Sequence, residues 1–70
     1  MMSQFASNLL HFLQSECSRT GKTSVDYPTI LAKSGFTDPD LLERALEQLE
    51  EEGFIDRRYI STVTLLNDQI

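Results

Sequence analysis

In this 70-residue chain the segment 37–53 leaves the fewest conformational choices. Thr37-Asp38-Pro39-Asp40 is a helix start: Asp38 can accept hydrogen bonds from the first free N–H groups, and Pro39 fits the first helical position, where no N–H donor is needed. If Thr37 is the cap instead, Asp40 completes something close to a capping box. Leu42, Ala45, Leu46 and Leu49 then recur at helical spacing, and Gly53 supplies the stop. A helix over about 38–52 with one apolar stripe follows. Such a helix has to bury that stripe against partner elements, so the rest of the chain must supply a core.

It does so upstream with a second amphipathic run. Phe5, Ala6, Leu9, Leu10, Leu13 and Cys17 fall within one arc of roughly 140°, the stripe of a core-packed helix over about 3–19. Gln4, Ser7, His11 and Ser15 take the other side, and Phe12 sits at the stripe's edge. Gly21 ends this helix, with Arg19 and Lys22 near its negative end. Thr23-Ser24-Val25 reads as a brief extended segment. Asp26 can cap a short helix over about 27–34, with Pro28 in its first turn and Ile30, Leu31 and Ala32 as its apolar residues. Ser34-Gly35 closes it.

After Gly53 the period changes from 3.6 to 2. Phe54-Ile55-Asp56-Arg57 and Thr62-Val63-Thr64-Leu65-Leu66 read as strands over about 54–57 and 62–66. Arg58-Tyr59-Ile60-Ser61 holds no glycine or Asn-Gly pair, so a bend longer than a tight primed turn joins them. The whole chain is long enough for one domain, residues 1–70, and too short for two.

Helix, short strand, helix, helix and two-stranded hairpin make an α+β order that resembles a winged-helix (winged helix-turn-helix) domain. The resemblance is carried by Leu42, Leu46 and Leu49, then Glu50-Glu51-Glu52-Gly53-Phe54-Ile55-Asp56-Arg57-Arg58, and Val63-Thr64-Leu65. Bacterial winged-helix regulators often show a similar leucine-spaced third helix, acid-rich end, glycine, two apolar residues and a wing. The resemblance implies a third helix that enters the DNA major groove and a hairpin that touches a neighbouring groove or the backbone.

The charge pattern departs from that role. Residues 38–52 hold seven acids (Asp38, Asp40, Glu43, Glu47, Glu50, Glu51, Glu52) against Arg44 alone, a net of −6. The remaining four acids and five bases leave +1, which completes the chain's −5. Asp40, Glu43, Arg44, Glu47 and Glu51 cluster opposite Leu42 and Leu49 and are expected to face outward. A DNA reader needs basic or amide side chains there, because affinity comes largely from neutralising phosphates. The acids also do little for the helix: Asp40–Arg44 is a favourable i,i+4 pair, but Glu43–Glu47–Glu51 is a like-charge ladder. Two accounts remain: a solvated, solubilising face, or a surface that meets a basic protein or peptide.

Other candidates carry less. Arg57 and Arg58, with Lys22, Arg19, Lys33 and Tyr59, form a possible basic edge for phosphates, although pairing with nearby acids or plain hydration accounts for the arginines equally, and a pI near 4.5 lies far from a nucleic-acid footprint. Phe12 is a possible apolar contact for a partner or a second copy, against the simpler role of covering a thin core. His11 has no ligand-spaced neighbours, so no metal site is expected. Cys17 reads as a small core residue, and a single cysteine suits a reducing, cytoplasmic setting. Thr20-Gly21-Lys22-Thr23 echoes the end of a P-loop, but Glu16 stands where its first glycine belongs and a helix precedes it, which rules against nucleotide binding. No membrane span, signal peptide, cofactor, small-molecule substrate or catalytic set is legible. The expected function is therefore a non-enzymatic protein–protein interaction module with an acidic third helix, binding a protein partner or itself. The alternative is a small, dimeric DNA-binding regulator that contacts phosphates through its wing.

Overall fold

Two helices with matching apolar stripes and a strand-forming tail give, among the described residues, an α+β arrangement of three helices and a three-stranded antiparallel sheet. The computed structural model describes residues 3–57 and 61–66. Helix α1 spans Gln4–Thr20, with the Ser3 hydroxyl accepting from the Ala6 N–H and Gly21 in the left-handed conformation at its end, φ 74°. That conformation lets the Gly21 N–H reach the Cys17 carbonyl at 2.9 Å. Ala6, Leu9, Leu10 and Leu13 are buried, the i, i+3, i+4, i+7 pattern of a core-facing stripe.

Three large apolar side chains among the described residues are exposed, and one of them, Phe5, belongs to the stripe expected to face inward. Phe5 is 48% exposed, because it lies at the margin of the stripe and turns to Phe36, with ring centroids 6.3 Å apart and a tilt of 59°. Leu31, also 48% exposed, points away from the core, since helix α2 (Tyr27–Lys33) is two turns long and buries only Ile30. Leu66 lies beyond the last strand and is exposed, although its N–H still reaches the Phe54 carbonyl at 2.9 Å. Cys17 is half-buried against the core. Asp26 takes the N-cap position of α2 without a side-chain capping bond.

Helix α3, Pro39–Glu51, begins as its sequence dictates. The Asp38 carboxylate accepts from the Asp40 N–H at 2.9 Å, which makes Asp38 and not Thr37 the cap. Leu42, Ala45, Leu46 and Leu49 are all buried. The exit is a complete Schellman motif: Gly53, at φ 83°, donates to the Glu50 carbonyl, and Phe54 donates to the Leu49 carbonyl. This turn sends the chain straight into strand β2.

The strands β1 (Ser24–Asp26), β2 (Ile55–Asp56) and β3 (Thr62–Leu65) pair in the order β1-β3-β2. The first begins one residue later than expected, and the other two are shorter. Val25 faces Val63 and Ile55 faces Leu65 across the sheet, so the apolar members of each alternation share the face that meets the helices. The sheet and α1 close over α3, and Tyr27, Phe36 and Phe54 seal the margins of the core. The Tyr27 N–H donates to the Ser61 carbonyl at 2.8 Å, tying the hairpin to the entry of α2. The expected bend at Arg58-Tyr59-Ile60 and the polar tail 67–70 lie outside the described residues.

Candidate functional site

With Leu42, Leu46 and Leu49 facing the core, α3 turns its acids outward. Asp40, Arg44, Glu47, Glu50 and Glu51 are exposed. Asp40, Arg44, Glu47 and Glu51 form no ion pair among the described residues, so the expected Asp40–Arg44 bridge is open. Each end of such a bridge is a flexible, hydrated side chain, and closing it gains little against the entropy lost.

Glu43 differs from its neighbours. Its carboxylate accepts from the Arg57 guanidinium at 2.6 Å, across 14 residues of chain, and the two side chains keep 45% and 24% of their exposure. The bridge fastens the acidic face to the residue that follows β2. It also occupies Arg57, one of the bases expected to meet phosphate. Arg58 and Tyr59, the other two candidates at the hairpin bend, lie outside the described residues.

The remaining bases gather elsewhere. Arg19, Lys22 and Lys33 surround a hollow of about 190 Å³ between the end of α1 and α2, shared with Glu16 and Asp26. Arg19 donates to both Glu16 oxygens, at 2.8 and 3.2 Å. This bonding holds the Glu16 carboxyl below its usual range, against a smaller opposing effect of desolvation, and raises the Arg19 guanidinium. Lys22 and Lys33 form no ion pair among the described residues. One of the three bases is thus committed, and a further acid lies within the same hollow.

Phe12 is half-buried and packs on the core, so the exposed aromatic of α1 is Phe5 instead. Phe5 stands between two shallow hollows. One, of about 250 Å³, runs past Phe36 and Leu41 to Asp38, and the other, of about 310 Å³, runs along Leu41, Arg44, Ala45 and Gln48 of α3. The Ser3 N–H donates to Gln48 Oε1 at 2.7 Å and fixes the start of α1 beside this strip. Leu41, a leucine one position off the inward stripe, is the one local sign of this strip in the sequence; the rest of it comes from α1 and the α2–α3 turn. His11 is exposed on the polar face of α1, and among the described residues no group of three or more His, Cys, Asp or Glu is placed to hold a metal ion. Among the described residues no helix is long and apolar enough to cross a membrane.

Compared with protein-family models, with curated proteins and with solved structures, the chain matches none.

Proposed function

We propose that this chain is a winged-helix domain working as a cytoplasmic, non-enzymatic protein-docking module, whose acidic third helix meets a basic protein surface instead of a DNA groove. The winged-helix reading is supported by the element order and by the antiparallel sheet in which β3 lies between β1 and β2. The observation that carries the functional reading is the outer face of α3, where Asp40, Glu47 and Glu51 are exposed and, among the described residues, unbridged. Carboxylates arrayed on a rigid helix repel phosphate and steer cationic partners.

Affinity capture from the native host, using wild-type chain and an Asp40→Lys/Glu47→Lys variant as parallel baits, tests this. Proteins retained by the wild type should be depleted from the variant. Equal retention on both baits, with the variant still folded, would show the acidic face to be merely solubilising. The cations around the hollow between α1 and α2 favour one second reading, a DNA-binding regulator that holds phosphates through Lys22, with Arg57, Arg58 and Tyr59 at the wing. Against it stands the Glu43–Arg57 bridge, which already satisfies the described arginine of that set.

A further inference from the structure

Beside the acidic face runs a second stripe of different character. On α3 the positions 41, 45 and 48 form one line along the helix, and 40, 44, 47 and 51 form the next. The first line is apolar or amide (Leu41, Ala45, Gln48), and it faces the two hollows that Phe5 divides. The second is Asp40, Arg44, Glu47 and Glu51, exposed along its length. Phe5 is 48% exposed although it has an aromatic neighbour, Phe36, to hold it in place. Ser3, bonded to both Gln48 and the Ala6 N–H, anchors the backbone from which Phe5 projects. The result is an apolar strip bordered on one long side by three carboxylates and Arg44.

Resting on the docking reading above, we infer that this strip takes a cationic amphipathic segment of a partner protein. Its apolar side chains would enter the hollows beside Phe5 and Leu41, and its lysines or arginines would lie over Asp40, Glu47 and Glu51. Charge complementarity selects this occupant over a second copy of the chain. A symmetric pairing through the same strip would bring together two faces whose residues 38–52 each carry −6. A cationic helix turns that repulsion into attraction, and the apolar strip supplies the burial that charge alone does not.

Labelled synthetic peptides provide the test, by fluorescence anisotropy on the full chain. One is a Leu/Lys amphipathic helix, one a Ser/Lys peptide of equal charge, and one a Leu/Glu helix. Wild type should bind the Leu/Lys peptide more tightly than Ser/Lys, and Leu/Glu not at all. Phe5→Ala, at a half-exposed site, should weaken the Leu/Lys peptide roughly tenfold and leave Ser/Lys unchanged. In the unmutated chain, amide shift changes on adding the Leu/Lys peptide should centre on Phe5, Phe36 and Leu41, a measurement that needs no variant to fold. A Leu/Lys advantage that survives in folded Phe5→Ala, or shifts centred away from the strip, would overturn the groove. Indifference of both lysine peptides to Asp40→Lys/Glu47→Lys would instead overturn the acidic-face reading beneath it. A chain that sediments as a dimer, and as a monomer once Phe5 is replaced, would make a second copy the occupant and refute the cationic partner.

Discussion

Leu46 is fully buried at the centre of the α3 stripe, and its truncation would leave a void that a 70-residue fold has few neighbours to fill. Leu46→Ala should cost about 2–5 kcal/mol in chemical denaturation, a large share of a small domain's stability. Asp38→Ala should cost about 1 kcal/mol by the same measurement, because the Asp40 N–H then loses its acceptor. Glu43→Gln should cost less than about 1 kcal/mol, as expected for a half-exposed ion pair. The Glu16–Arg19 pair gives a pH dependence with a definite sign. Because the folded state lowers the Glu16 pKa, the pair's contribution is complete above the ordinary carboxylate value and fades as pH falls through the lowered one. Glu16→Gln should flatten that part of the acid limb. The four inward positions of α3 were legible in the sequence because leucine spacing and core geometry obey one period. Phe5 and Phe12 were not separable in that way. Both lie at the stripe's margin, and which one is covered depends on where Phe36 and the rest of the fold come to rest.

At the scale of elements, the starts and stops were legible wherever a backbone requirement selects the residue. Asp38-Pro39 and Gly53 bracket α3 because a cap, a missing donor and a left-handed turn each admit few side chains. Asp26 marks the limit of such reasoning: it stands at the N-cap of α2, yet its side chain makes no capping bond. The pairing of β1 with β3 was also beyond local signals, since it joins residues some forty apart in the chain. The exposed face of α3 makes a prediction of its own. In a duplex-DNA titration at low salt, wild type should bind weakly or not at all, and Asp40→Lys/Glu47→Lys should gain salt-sensitive affinity. If wild type bound duplex tightly, and Arg57→Glu/Arg58→Glu abolished it, the regulator reading would replace the docking one.

Across the sequence, charge is divided unevenly: one helix with its caps carries all the excess negative charge, while five of the six bases lie outside it, Arg19, Lys22 and Lys33 around the hollow between α1 and α2. A partner drawn to α3 should therefore associate faster at low ionic strength, with the rate falling as salt shortens the reach of the field to about 10 Å at 0.1 M. The carboxylate cluster was plain in the sequence, whereas its apolar border was not, because that border is assembled from α1, the α2–α3 turn and α3 together. Amide chemical-shift mapping of the isotope-labelled chain, on addition of a captured native partner, tests the account most directly. Changes should run along the strip at Phe5, Phe36 and Leu41 and along the carboxylates that border it, Asp40, Glu47 and Glu51. A footprint confined to Lys22, Lys33 and Arg57, with α3 undisturbed, would contradict it.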